Sequence, residues 1–237
     1  MERGAGGGRQ PSFLDRLPEP DRAGLMALGR RETIEPGEPV LAVARSGIDM
    51  VVLEQGYVKV ISTDHEGRQV ILDVGGPGDI YGEAAVVTGW PRMASVVSLD
   101  KVVVRRIKAE AFRQFLHEYP ETMYAAFVLQ SKRLWNAQHE RSQTRSPDTV
   151  PQIARRLLYL VDVCASEHDG SWSVNAPLTQ EEQAEFVPVA RRTLAKALKQ
   201  LRQQGVVVTG RRSLTVTDLG KLQRLAGTPL IHPFGDI

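Results

Sequence analysis

The chain has 237 residues, a formal net charge of +2, 42% hydrophobic and 24% charged residues, which is ordinary globular composition with room for two domains. A fibrous or wholly disordered chain is excluded. The single cysteine, Cys164, excludes an intrachain disulfide and an iron–sulfur cluster, which needs about four protein ligands.

The opening MERGAGGGRQP is Gly-rich and lacks the apolar core of a secretion signal, so a disordered leader is expected over residues 1–11. No run of about 18 apolar residues occurs, which predicts no membrane span and a cytoplasmic protein. Residues 12–29 carry Phe13, Leu14, Leu17, Leu25, Met26 and Leu28, broken by Pro18 and Pro20, the pattern of short helices. From residue 33 to residue 107 the apolar runs become short and β-branched (PVLAVA, MVVLEQGYVKVI, RQVILDV, ASVVSL, VVVRRI). Turn signals such as EPGE, RSG, EQG, HEGR and GGPGD separate them, so residues 12–120 are expected to hold an all-β barrel or double-sheet roll.

Residues 108–144 contain no glycine and only one proline, Pro120, and the period becomes helical. The helix AEAFRQFLHEY should stop near Pro120, which lacks an amide donor. A second helix is expected over residues 121–144. Phe127, Leu134 and Arg141 fall at seven-residue spacing with Gln130 and Ala137 between them, a seam suited to pairing with a second copy. The spacing predicts a homodimer, with dimerisation helix and hinge over residues 121–147; the alternative is one helix packed on the barrel. RSPDTVP, with two prolines and Asp148 as a candidate cap, marks the hinge. A further amphipathic helix is expected over residues 152–165, where the run LLYLVDVC makes Cys164 a buried, inert thiol.

Residues 148–227 read as one C-terminal domain, followed by a tail over residues 228–237. Thr179 followed by Glu182 is a capping-box pattern that opens a helix over residues 180–186. Pro188 interrupts the chain, and a second helix over residues 191–204 buries Leu194, Ala197, Leu198 and Leu201, ending at Gly205. VVVTGRRSLTVT then predicts two short strands about the Gly210 turn. This outline is a helix-turn-helix with a wing. Its charge is one-sided: from Phe186 through Thr217 there are seven basic residues and no acidic one. Such a stretch suits a phosphate backbone, the double-stranded DNA of an inverted repeat. Arg191, Arg192 and Lys196, in the first turns of the second helix, are candidates for reading base edges. Lys199, Arg202, Arg211 and Arg212 are candidates for phosphate contacts. Thr179, Gln180 and Thr193 complete the candidate DNA-binding set.

A second signal lies in GDIYGEAAVVTGWPRMASVVSLDKVVVRRI. Gly82-Glu83, a short turn of helix, then Pro91-Arg92-Met93-Ala94-Ser95 entering a strand resembles the phosphate-binding cassette of cyclic-nucleotide-binding domains. With the C-terminal pattern, residues 13–226 resemble the cyclic-AMP receptor protein (Crp/Fnr) family. The resemblance implies an α+β fold: an N-terminal cyclic-nucleotide-binding-type β-roll (a double-sheet jelly roll), a long dimerisation helix and a C-terminal winged helix-turn-helix. It further implies an allosteric transcriptional regulator with RNA polymerase as a partner and with cyclic AMP, cyclic GMP or cyclic di-GMP as candidate effector.

By the same resemblance, Glu83 would bind the ribose 2′-hydroxyl and Arg92 the cyclic phosphate, with amides near Gly82, Ala84, Met93 and Ala94 completing the cradle. Arg133 matches a helix arginine that approaches the nucleotide. Ala137 and Gln138 stand where cyclic-AMP sensors commonly carry small hydroxyl residues, and Gln138 could instead bond a base edge. Trp135 could stack on a base or pack in the interface. The alternative is that Glu83 and Arg92 pair across the turn, leaving a regulator that needs no ligand or senses another small molecule. Ala190-Arg191-Arg192-Thr193 departs from the family's Ser-Arg-Glu-Thr, so the preferred DNA sequence should differ. His65, His117, His139, His168 and His232 show no paired metal spacing, and no metal is expected. Neither paired catalytic carboxylates nor a nucleophile–His arrangement points to an enzyme.

Overall fold

The computed structural model describes residues 11–43, 49–63, 67, 69–143, 149–187, 190–210 and 213–227. Residues 1–10 of the expected leader, Asp148 and most of the hinge, Pro188, Arg211, Arg212, His65, His232 and the tail lie outside them. The chain divides into two compact units, Pro11–Arg145 and a second that begins at Ser146.

The first unit contains β1 (Arg30–Ile34), β2 (Pro39–Leu41), β3 (Asp49–Gln55), β4 (Val58–Thr63), β5 (Gln69–Gly75), β6 (Ile80–Tyr81), β7 (Ser95–Ser98) and β8 (Val102–Lys108). They form two four-stranded antiparallel sheets, ordered β1-β8-β3-β6 and β2-β7-β4-β5. Strand β3 shows why MVVL is an unbroken apolar run. Alternate side chains leave a strand on opposite faces. Val51 and Leu53 join the core enclosed by the two sheets, with Ile34, Val40, Val58, Val96 and Val104. Met50 and Val52 face the other way, into a second core with Leu25, Phe112, Phe115, Ala125 and Ala126.

That second core is closed by helices α1 (Glu19–Ala27), α3 (Ala109–Glu118) and α4 (Pro120–Gln143). Pro120 both ends α3 and opens α4, because the first turn of a helix has no use for its missing amide. A buried hydrogen bond from Thr122 Oγ1 to Asp21 Oδ2, 3.0 Å, ties α4 to α1. The short α2 (Glu83–Thr88) sits between β6 and β7. Phe127 and Leu134 on α4 are 69% and 60% exposed and Ala137 is exposed, so these positions of the seam are uncovered within the unit, while Gln130 is half-buried.

The second unit contains α5 (Thr149–Cys164), β9 (Ala165–His168), β10 (Ser171–Val174), α6 (Gln180–Phe186), α7 (Arg191–Gln203), β11 (Val207–Gly210), β12 (Ser213–Val216) and α8 (Leu219–Ala226). Its strands form one antiparallel sheet, β11-β12-β10-β9. Ile153, Leu157, Leu160, Trp172, Phe186, Leu198, Leu201 and Leu222 are buried. Cys164 is buried too, its thiol donating to the Leu160 carbonyl.

One expectation is corrected. Helix α5 begins at Thr149, not at residue 152, because Pro151 fits the first helical turn as Pro120 does. The β9–β10 hairpin and α8 were not anticipated. No described helix is long and apolar enough to cross a membrane, and no group of three His, Cys, Asp or Glu among the described residues could hold a metal ion.

Candidate effector site and nucleic-acid interface

The chain leaves β6 through Gly82, whose φ of +88° lies in the left-handed region. A Cβ there would meet Leu41 Cδ1 at 3.0 Å and the Asp49 carbonyl at 3.1 Å, so glycine alone brings the start of α2 against β3. The next residue, Glu83, is 3% exposed. Its Oε1 accepts from Arg133 Nη1 at 2.6 Å and from Gln130 Nε2, both on α4. Arg133 also donates to the Ile80 carbonyl at 3.1 Å and lies 5.0 Å from the Tyr81 ring centroid. Burial opposes the Arg133 charge, but Glu83 and Asp73 nearby outweigh it and raise its pKa further. Burial also raises the Tyr81 hydroxyl's pKa well above its ordinary value.

Arg92 lies just before β7 and is 9% exposed. Its Nη2 donates to Asp49 Oδ1 at 2.5 Å and to the Asp49 carbonyl at 2.6 Å. The other carboxylate oxygen, Asp49 Oδ2, accepts from Arg106 Nη1 at 2.7 Å. Arg106 in turn donates to Glu32 Oε2 at 2.7 Å and to the Val40 carbonyl at 3.0 Å. Burial would raise the Asp49 pKa, but the hydrogen bonds from Arg106 and Arg92 outweigh it and hold it below its ordinary value.

The alternative in which Glu83 and Arg92 pair with each other is therefore corrected: Glu83 is held by α4, and Arg92 by the head of β3. Among the described residues, two buried side-chain polar atoms remain without a hydrogen-bond partner, Glu83 Oε2 and Arg92 Nε. A buried carboxylate oxygen demands a donor, and a buried guanidinium N–H an acceptor. A hydroxyl and an anionic oxygen on one molecule would supply both. Met93 and Trp90 are 87% and 71% exposed, Ala84 and Gln138 are exposed, and Ala94 is half-buried. Asp49 was not singled out in the sequence, and Gln130, read there as part of the α4 seam, instead donates to Glu83.

In the second unit, the capping box opening α6 is complete: Thr179 Oγ1 accepts from the Glu182 amide at 3.1 Å, and Glu182 Oε2 from the Thr179 amide at 2.8 Å. Gln180 is the first residue of α6. Helix α7 buries Leu194, Ala197, Leu198 and Leu201 and ends at Gln203, and Gly205, just past its Gln204 cap, takes a φ of +67°. Arg191, Arg192, Lys196 and Lys199 are exposed on its outer side, and no carboxylate among the described residues pairs with them. Thr193 is half-buried.

The start of α7 breaks a local rule. Ala190 gives no side-chain cap and the first turn has no acidic residue, while Arg191 and Arg192 place two cations at the positive end of the helix dipole. Folding gains nothing from that arrangement; an anionic partner would. Arg202 differs from the others, since its Nη1 donates to Thr209 Oγ1 at 2.7 Å and braces α7 against β11.

The Cyclic nucleotide-binding domain family matches residues 31–119, and the Crp-like helix-turn-helix domain family matches residues 151–225. The chain belongs to the Crp/Fnr family of transcriptional regulators. As a Crp/Fnr protein it is a DNA-binding regulator and not an enzyme. It is 26% identical over 190 residues to the CRP-like cAMP-activated global transcriptional regulator of Mycobacterium tuberculosis, covering 80% of this chain and 85% of that protein. Its fold is similar to FixK2 from Bradyrhizobium japonicum (TM-score 0.73, 16% identity, 85% of this chain and 98% of that one). It is also similar to the c-di-GMP responsive regulator CLP of Xanthomonas campestris (TM-score 0.71, 19% identity, 85% and 100% of the two chains).

Proposed function

We propose that this Crp/Fnr regulator acts in the cytoplasm as a homodimer on an inverted-repeat DNA site, under control of a small effector bearing both a hydroxyl and an anionic phosphate, a cyclic nucleotide. The observation that carries the effector reading is the pair of orphaned atoms. Glu83 Oε2 lacks a donor and Arg92 Nε lacks an acceptor, on the two buried cassette side chains. A ribose hydroxyl answers the first and a phosphate oxygen the second. Backbone amides at Gly82, Ala84, Met93 and Ala94 would add donors to the phosphate, and Gln138 would face the base. The cAMP-activated relative from M. tuberculosis supports the same ligand class.

The exposed Phe127 and Leu134 support pairing of α4 with a second copy, since two apolar side chains one heptad apart gain by burial. Arg191 and Arg192 with Thr193 and Lys196 read base edges in the major groove, and Lys199, Arg202, Arg211 and Arg212 with Thr179 and Gln180 hold the backbone. The DNA-bound dimer contacts RNA polymerase. Control requires that the effector bind two arrangements of the dimer unequally; tight binding alone shifts nothing.

Calorimetric titration of the full chain with cyclic AMP, cyclic GMP and cyclic di-GMP tests the effector reading. One of them should bind, and Arg92→Ala and Glu83→Ala should each abolish the heat. Silence from all three ends that reading. A second reading, a regulator that needs no effector, is favoured by Asp49 and Arg133 already neutralising Arg92 and Glu83. It requires full DNA affinity with no nucleotide present.

A further inference from the structure

We infer that Asp49 is an internal stand-in for the effector's phosphate: it occupies Arg92 and must be displaced before an anionic ligand can take that guanidinium. The inference rests on the cyclic-nucleotide reading above and assigns a residue outside the cassette itself, 43 positions from Arg92 at the head of β3.

The geometry has three parts. Arg92 meets both an oxygen of the Asp49 carboxylate and the Asp49 backbone carbonyl through one nitrogen, Nη2, at 2.5 and 2.6 Å. A guanidinium recognises a phosphate best through two parallel N–H bonds. With Nη2 engaged and Nε orphaned, Arg92 is half committed.

Asp49 is also held independently. Its second oxygen accepts from Arg106, which Glu32 and the Val40 carbonyl fix in place. Leaving a buried charge without a counter-ion is strongly unfavourable. Asp49 can release Arg92 without that penalty, because Arg106 stays with it.

Charge completes the picture. Arg92, Arg106, Asp49 and Glu32 form a cluster of two cations and two anions. A phosphate reaching Arg92 exchanges one anion for another at that guanidinium, so only a ligand that outcompetes a neighbouring carboxylate is retained. Asp49 therefore sets the threshold of affinity that an anionic ligand must pass at Arg92, and a neutral ligand does not meet it.

Asp49→Asn keeps the side chain's shape and an oxygen for Arg106 while removing its charge; Asp49→Ser is a second variant in case the first does not fold, judged by circular dichroism. Each full-length protein is titrated with cyclic AMP, cyclic GMP, cyclic di-GMP and uncharged adenosine at one salt concentration. The expected result is that a nucleotide binds the folded variant tighter than the natural chain by about tenfold or more, with adenosine unaffected. A nucleotide that binds the variant but not the natural chain supports the inference as well. Equal or weaker binding to the variant overturns the role of Asp49 and leaves the effector reading standing. A gain shared by adenosine overturns it as well, since charge would not be the cause. Silence of both proteins toward all three nucleotides overturns the inference and the reading together.

Discussion

An Arg192→Glu substitution sets folding against recognition. Arg192 is the second residue of α7, exposed, in a first turn with no acidic residue and no side-chain cap. A carboxylate at that end of a helix is worth about 0.3–1 kcal/mol, and the natural cation opposes the dipole, so the variant should be more stable by about 0.5–1 kcal/mol. For a domain of this size that raises Tm by about 2–8 °C. Recognition should move the other way. Losing a bidentate donor costs about 1–3 kcal/mol of discrimination, or roughly 5- to 150-fold in affinity for the natural site. Calorimetric unfolding and fluorescence anisotropy on the same preparations measure both. A variant that melts lower, or that binds the natural site as tightly as before, would refute the assignment of α7.

Three smaller predictions follow from other parts of the molecule. Thr179→Ala removes the capping box of α6 and should cost about 1 kcal/mol in thermal unfolding; an unchanged Tm would deny the cap its role. Phe127→Asp combined with Leu134→Asp should turn the dimer into a monomer in analytical ultracentrifugation, and a persistent dimer would place the interface elsewhere. Asp49, held below its ordinary value of 3.8 between Arg106 and Arg92, gives stability that is complete above that pH and is lost as pH falls through its folded pKa. The stability difference between the natural chain and Asp49→Asn should therefore be constant at neutral pH and close in acid; a difference independent of pH would contradict the ion pairing.

Much of the fold could be read from local pattern. The β-roll strands announced themselves by β-branched runs between turn residues, and α7 by Leu194, Ala197, Leu198 and Leu201 at helical spacing. The β9–β10 hairpin has a local signal of its own. Asp169-Gly170 takes φ of 49° and 74°, and Asp-Gly is a preferred pair for a two-residue turn with both values positive. Glu83 and Arg92 stood out because glycine, carboxylate and arginine kept a recognisable spacing. Arg133 stood out by the same resemblance, but Asp49 and the contact of Gln130 with Glu83 did not. Asp49 looks like a polar residue before an apolar strand, and Gln130 like one position of the α4 seam. Only the antiparallel register of β3 with β8, which sets Arg106 opposite Val51 and so diagonal to Asp49 on the same face, and the docking of α4 at Ile80 bring them to the cassette. Pairings over more than 40 positions leave no local trace.

The most direct test of α7 as a DNA-reading helix is selection of bound sequences from a random duplex pool by the full-length protein at physiological salt. The expected result is an enriched inverted repeat whose half-sites lie about one helical turn, roughly 34 Å, apart, with enrichment lost in Arg191→Ala. A pool that stays random, or one enriched equally by the natural chain and Arg191→Ala, would contradict it.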